Sequence, residues 1–252
     1  TRIAPYMGVY YYPINSSVEP FTDVRIRKAL SMAINREAIV DKVLKTGELA
    51  AYSFVPPGVA YYDQPAEVEW KDVPFGERQK MAKELLAEAG YGPDNPLEFT
   101  LRYNTSENHK RIAVAVVSMW KGIGVKAELF NSEVKVHYAD LKQGDFQVAR
   151  AGWIADYNDA QNFLYLLETR TGANNYGRYS NPEFDQLMLD AEVTSDLEKR
   201  SEMMLKAESL AMRDQPVIPI YHYVSKNLVS QKVVGFEDNP QDIHRWRYVS
   251  LK

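Results

Sequence analysis

Apolar and polar positions along this chain follow two periods, and the places where one gives way to the other predict most of its elements. Tyr10-Tyr11-Tyr12 closed by Pro13 predicts a short strand, because aromatic side chains suit the pleat and proline lacks a ladder donor. Thr22 or Asp23 can cap a helix that starts at Val24 and carries Arg27, Ala29, Leu30 and Ala33. Asn35 offers a second cap for a helix with Ile39, Val40 and Val43 on one face. From Ala50 to Glu77 the periodicity fades, and Pro56, Pro57, Gly58 and Pro65 among several tyrosines predict a long ordered loop. Helical spacing returns at Met81, Leu85, Leu86 and Ala89, with Gly90 placed to end it.

The middle of the chain then alternates. Leu97 to Tyr103, Val125 to Phe130 and Phe146 to Gly152 read as strands, while His109 to Lys121 and Val134 to Leu141 read as helices. Strands alternating with helices imply crossover units, so the fold class is α/β with a mixed, mostly parallel sheet flanked by helices. Ser180-Asn181-Pro182 opens another helix with a cap and a first-turn proline. Ser195 with Glu198 forms a capping box for the next, whose stripe is Met203, Met204, Ala207, Leu210 and Ala211. Beyond Pro216 the texture is strand-like over Val217 to Val224, Leu228 to Ser230 and Trp246 to Leu251.

Composition narrows the function more than the fold. With 252 residues, 45% of them hydrophobic, the chain can bury a substantial core. A net charge of -4 provides no basic face for nucleic acid. The absence of cysteine removes disulfides, thiolate metal sites and cysteine nucleophiles together. The longest nearly apolar run, Ile112 to Trp120, is short of the roughly 20 residues a membrane span needs. Thr1-Arg2-Ile3-Ala4-Pro5 lacks a basic stretch leading into an apolar one, so no signal peptide is expected within the chain.

The four histidines are scattered, and there is no HExxH pair, GxSxG elbow, phosphate-cradling loop or GxGxxG turn. Asp156-Tyr157-Asn158-Asp159 lacks the glycine and glutamate of a calcium loop, and the sequons at Asn15 and Asn104 are short enough to arise by chance. No cofactor and no metal are expected, and binding is a better expectation than catalysis.

The most informative stretch is Phe146-Gln147-Val148-Ala149-Arg150-Ala151-Gly152-Trp153-Ile154-Ala155-Asp156-Tyr157. An apolar strand runs into Gly152, Trp153 and Asp156 at its carboxyl end, where α/β sheets leave a crevice for ligands. Gly152 permits close approach of another backbone, Trp153 offers an apolar wall with one donor, and Asp156 offers a fixed anion. Together they suit an extended ligand bearing an ammonium group. On the residues alone, the structural reading leads: Asp156 caps the next helix, Trp153 fills core and Arg150 is a surface charge.

FTDVRIRKALSMAINREAIVDKVL (Phe21 to Leu44), the Val55-Pro56-Pro57 turn and KELLAEAGY (Lys83 to Tyr91) resemble the family of oligopeptide- and dipeptide-binding proteins. So do LRYNTSENHKRIA (Leu101 to Ala113), GDFQVARAGWIADYND (Gly144 to Asp159) and PIYHYV from Pro219 to Val224. The matches are collinear from about Tyr10 onward. The resemblance implies the C-terminal lobe of a two-lobed extracytoplasmic receptor that serves an ABC importer, not an enzyme. The first lobe would lie outside this chain.

It implies a hinge strand over residues 1–12, the ligand-binding lobe over 13–218, and a hinge return with strands of the first lobe over 219–252. The implied partners are a peptide ligand, the importer's permease subunits and the absent lobe. The implied location is the periplasm or another extracytoplasmic space, with any lipid anchor outside this chain.

Carried over from that family, Asp156 matches the acid that pairs with the ligand's α-ammonium, and Gly152, Trp153 and Ile154 match a strand that pairs with the ligand main chain. Arg150 and His109 match basic positions that meet ligand carboxylates. Tyr11 and the Tyr221/Tyr223 pair would sit near the hinge and line the cleft. Pro13, Val134, Leu141 and Leu44 (beside Lys45) depart from polar or aromatic residues of the oligopeptide receptors, which leaves ligand length and side-chain preference open. Other ligands within the family, such as an oligosaccharide or a metal chelate, stay open as well.

Overall fold

The computed structural model describes residues 1–252. Its organising element is the first strand, β1 (Arg2–Pro13), which is far longer than the tyrosine run that predicts it. From Met7 to Pro13 every residue is buried, because both faces of the strand are covered. β1 lies between β6 (Ala151–Ile154) and β7 (Val217–Asn227), and β2 (Leu49–Ala50) completes a four-stranded sheet in the order β2-β7-β1-β6. All three pairings are antiparallel. Pro5, which has no N–H to give, sits where the β1–β7 register breaks, and pairing resumes only at Val9 opposite His222.

The predicted parallel pairing is found in a second sheet, ordered β4-β3-β5, built from β3 (Glu98–Asn104), β4 (Lys126–Ser132) and β5 (Val148–Ala149). Helices α4 (Glu107–Lys121) and α5 (Val134–Gln143) provide its crossovers. The expectation of mostly parallel strands holds for this sheet alone. The larger sheet is antiparallel, because β1 and β7 come from opposite ends of the chain and need no crossover helix between them.

The stretch Phe146 to Gly152 reads as one strand in the sequence but serves two sheets. Val148 and Ala149 pair with β3, Arg150 N–H still donates to Arg102 O at 2.7 Å, and from Ala151 the chain pairs with β1 instead. A bridge between Ile14 and Val148 closes the junction. Asn15 braces the same place by donating to the carbonyls of Gly144 and Phe146 from a side chain buried in the core, which accounts for this sequon as a packing residue.

Caps fall where local chemistry places them, with one correction. Asp23 accepts from Arg25 N–H at the start of α1 (Val24–Met32), and Asn35 accepts from Ala38 N–H at the start of α2 (Arg36–Ala38), which continues as a π turn through Leu44. Gly90, at φ +90°, turns the chain after α3 (Phe75–Glu88). Asn181 and Pro182 open α7 (Pro182–Val193). The helix α8 (Leu197–Asp214) is capped by Asp196 rather than the expected Ser195; its carboxylate accepts from Glu198 and Lys199 N–H.

Leu228 to Ser230 is not a strand, and Trp246 to Tyr248 is a 3-10 turn. The tail pairs only through β8 (Val233–Val234) and β9 (Ser250–Leu251). Leu228, Trp246 and Leu251 are each at least three-quarters exposed, so no sheet face buries their alternation.

The long loop after β2 is held by buried charges that its composition does not reveal. Tyr52, Phe54, Val55, Val59, Tyr62, Val68 and Trp70 are all buried. Arg36 is fully enclosed, 5.0 Å from the Tyr52 ring and 5.2 Å from the Trp70 ring, and donates to the carbonyls of Pro219 and Ser31. Glu208 of α8 is the loop's acceptor. One carboxylate oxygen takes the N–H groups of Phe54 and Val55, and the other takes Ala66 N–H and the Tyr62 hydroxyl.

Burial pushes the Glu208 carboxyl up to about 7, against the four donors that pull it down. That value lies above unfolded glutamate's, so the folded protein holds a proton the unfolded chain has released. Its contribution to stability is complete below about pH 4 and falls as pH rises toward 7. Glu208→Ala orphans the donors and is expected to cost about 3–5 kcal/mol. Glu208→Gln cannot ionise, so the gap in melting temperature between wild type and this variant should narrow from pH 5 to pH 8. A constant gap would show that the folded carboxyl does not titrate differently from the unfolded one over this range, and a widening gap that the ionised form is the stabilising one.

Candidate functional site

The short strand β6 is an edge. β1 covers one side of it and no strand covers the other. Ala155 N–H donates to Met7 O at 2.9 Å, so by antiparallel alternation Trp153 and Ala151 also bond inward to β1. Gly152 and Ile154 therefore hold their N–H and C=O groups outward, along an open edge. Ile154 is 39% exposed. Side chains on this strand divide between two faces. Gly152 and Ile154 lie opposite Tyr10 and Gly8, whereas Trp153 lies opposite Val9. Gly8 leaves room for this packing, since a Cβ there would stand 2.4 Å from Ile154 Cδ1 and 2.8 Å from the Tyr223 ring, and both side chains would have to shift.

At the amino end of this edge lies a buried cation with only neutral company. Arg150 is 8% exposed. Its Nη1 donates to Asn104 Oδ1 at 3.1 Å and to the Tyr138 hydroxyl at 3.2 Å, its Nη2 donates to the Tyr223 hydroxyl at 3.1 Å, and the guanidinium lies 4.7 Å from the Tyr10 ring centre. Burial opposes the charge, but the phenol oxygens of Tyr10, Tyr223 and Tyr138 outweigh it and hold the group above the usual arginine range. No carboxylate pairs with it. Gly152 makes the seat, because a Cβ would stand 3.0 Å from both Arg150 Nη2 and the Tyr223 hydroxyl.

Two histidines complete this end. His109, in the first turn of α4, lies beside the Tyr10 ring, with Nδ1 3.4 Å from its hydroxyl. Burial, reinforced by the Arg150 charge, pushes its pKa down to about 3, so it is neutral at ordinary pH. His137 Nε2 donates to Arg150 O at 2.7 Å, which fixes its tautomer, since a carbonyl only accepts.

At the other end the strand runs into a turn carrying two acids. Asp156 is exposed, and its N–H is held by Asn162 Oδ1 at 2.9 Å, an atom that also accepts the Trp153 indole N–H at 3.0 Å. The Asp156 carboxylate makes no hydrogen bond and no ion pair within the chain. Asp159, by contrast, is bound by Arg200 of α8 at 2.8 and 3.0 Å. Trp153 packs edge-on to Tyr165 with ring centres 5.8 Å apart.

The structure thus gathers Arg150, His109, Gly152, Ile154 and Tyr223 on one face, sets Trp153 on the other, and places Asp156 beyond the carboxyl end of the strand. Tyr11 is a correction. Alternation along β1 turns it away from Tyr10, so it is buried edge-on against Phe54 and does not join the face that carries Arg150. Tyr221 stacks on Tyr10 at 4.7 Å and supports the face from below. Among the departures, Leu141 is wholly buried and Val134 is exposed, so neither offers a polar group to this edge.

Tyr10, Asn104 and Tyr138 escape a sequence reading. The tyrosine run does not say which of its members faces the cation, and the other two gain their role only when β3 and α5 meet Arg150. Among the histidine and acidic side chains, no group of three is arranged to hold a metal ion. No helix is long and apolar enough to cross a membrane.

Comparison with known proteins gives the family and the fold. The chain is 44% identical over 238 residues to the periplasmic oligopeptide-binding protein OppA of Salmonella typhimurium, covering 93% of this chain and 43% of that protein. Its structure superposes on the unliganded open form of MppA, a periplasmic murein tripeptide binding protein, with a TM-score of 0.93 and 38% identity, covering 99% of this chain and 48% of that one. It superposes on Haemophilus influenzae OppA in complex with RPPGFSPFR with a TM-score of 0.87 and 36% identity, covering 99% and 49%. The chain spans less than half the length of these relatives. Residues 2–175 match the model of the middle region of bacterial extracellular solute-binding proteins, family 5, and the chain belongs to that family.

Proposed function

We propose that this chain is one lobe of an extracytoplasmic receptor that captures peptides in extended form and delivers them to the permease subunits of an ABC importer. Its role is binding and transport rather than catalysis. The observation that carries the reading is the charge layout along β6. A free carboxylate stands at one end, a buried cation without a counter-anion stands at the other, and unpaired main-chain groups lie between them. A zwitterionic chain laid antiparallel to β6 matches all three. Its ammonium would meet Asp156, its backbone would pair with Gly152 and Ile154, and its carboxylate would approach Arg150 with neutral His109 beside it. Main-chain pairing tolerates any side chain, which favours a broad range of sequences.

The domain assignment follows the same reading. Residues 1–12 would form a hinge strand, 13–218 the second lobe, and 219–252 the return toward a first lobe outside this chain. Adjacency of β1 and β7 in one sheet supports paired crossings at the hinge. Such a receptor would work in the periplasm or on the outer face of the cytoplasmic membrane, with any lipid anchor outside these residues.

Three outcomes are expected, read by calorimetry on the full-length protein. Closure of the lobes would bury the ammonium pair, and losing one partner of such a pair costs about 3–5 kcal/mol. Asp156→Ala should therefore weaken a free-amine peptide by about a hundredfold or more. A loss of no more than about threefold would remove Asp156 from the site.

Amidating the ligand's carboxyl end should matter only for short peptides. The guanidinium lies level with Gly152, four residues or about 13 Å along the strand from Asp156, so a ligand of about four residues places its carboxylate there. Equal sensitivity to amidation in a much longer series would place the carboxylate elsewhere.

The 252 residues alone present one side of the ligand and should bind more weakly than about micromolar. Tighter binding by the separate chain would mean that a second lobe is dispensable.

A further inference from the structure

Two acids stand three residues apart in the turn after β6, and α8 decides which of them is free. Arg200, in the first turn of that helix, holds Asp159 through two hydrogen bonds of 2.8 and 3.0 Å. The two side chains are 19% and 28% exposed, so this is a largely enclosed pair rather than a solvated one. Asp159 Oδ1 also accepts Gln161 N–H at 2.8 Å, which fixes the start of α6 (Gln161–Leu164). Asn162, in the same short helix, then carries the Asp156 N–H and the Trp153 indole. A continuous set of polar contacts therefore runs from Arg200 through Asp159 and α6 to the backbone of Asp156.

The turn has a second support from the same helix. Two turns beyond Arg200, Glu208 gathers the N–H groups of Phe54, Val55 and Ala66. The loop between those points reaches the turn after β6, where its Ala60 N–H donates to Asn158 Oδ1 at 2.8 Å. α8 therefore holds residue 159 directly and residue 158 through the loop, and it leaves the Asp156 carboxylate alone without a partner.

We propose that Arg200 is a positioning and selectivity residue for the ligand's ammonium group, an inference that rests on the reading of Asp156 as its anchor. Arg200 neutralises the competing acid at 159 and locks the turn so that only Asp156 points an anion at the ligand. Without it, Asp159 offers a second negative site a turn away and Asp156 loses its fixed position. The affected quantity is the preference for a free amine over an acetylated one, not affinity in general.

The test uses the full-length protein, a tetrapeptide and its N-acetylated form, with dissociation constants from calorimetry and folding checked by thermal unfolding. Arg200→Gln should lower the free-amine preference about tenfold while the acetylated peptide changes by less than about twofold. Arg200→Lys, which keeps the charge, should hold the preference within about threefold of wild type. Asp159→Asn, which frees Arg200 to compete for Asp156, should lower the preference as well, and it carries the test if Arg200→Gln does not fold. The double variant Asp156→Asn/Arg200→Gln should lose no more than Asp156→Asn alone.

If Asp156→Asn abolishes the preference but Arg200→Gln and Asp159→Asn leave it intact, or weaken both peptides equally, the role of Arg200 is refuted and the anchor stands. If Asp156→Asn itself leaves the preference unchanged, the anchor reading fails and this inference falls with it.

Discussion

One crossing of the chain between two sheets underlies the rest of this structure. Val148 and Ala149 belong to the parallel sheet, Ala151 to Ile154 belong to the antiparallel one, and Arg150 is the residue at which the partner changes. A side chain at such a junction cannot point cleanly into solvent. It is folded between β3, α5 and β7 and satisfied by Asn104, Tyr138 and Tyr223. The same crossing makes β6 an edge strand, since its outer neighbour in the parallel sheet has been left behind. The cation and the free backbone groups therefore share one cause.

A buried cation without an anion is costly unless dipoles and ring faces compensate it. Here hydroxyls, an amide oxygen and the face of Tyr10 do so, and no carboxylate is placed where it would quench the charge. Asp156 shows the complementary arrangement. Its neighbour Asp159 is neutralised by Arg200 while it is left unpaired. Under the proposed function, an unmatched charge at each end of an unpaired strand edge would select a partner with both charges and a backbone between them. A neutral ligand could use the edge but neither of its ends.

The irregular segment from Ala51 to Trp70 supports this arrangement without secondary structure of its own. Its backbone donors converge on Glu208, its rings enclose Arg36, and its tip meets the turn that carries Asp156. Long loops hold a defined shape only when their polar groups are satisfied, and here a single carboxylate on a rigid helix satisfies four of them.

The sequence by itself determined what local physics controls. Asp23, Asn35 and Asn181 cap helices because each short side chain reaches its own backbone two or three residues on, which needs no tertiary context. The alternation from Leu97 to Gly152 placed the parallel sheet and its crossovers, and likeness to a family singled out the residues of β6 and its turn as the candidate site. Only the tertiary structure decided which tyrosine of the run at 10–12 faces the cation, because alternation gives opposite faces without saying which is which. It alone decided that Arg36 and Glu208 are core residues, since a charged side chain is buried only when distant backbone carbonyls or N–H groups come to meet it. It also decided that Asp156, not Asp159, is the free acid. That choice depends on an arginine 41 residues further along the chain, a separation that no local pattern can read.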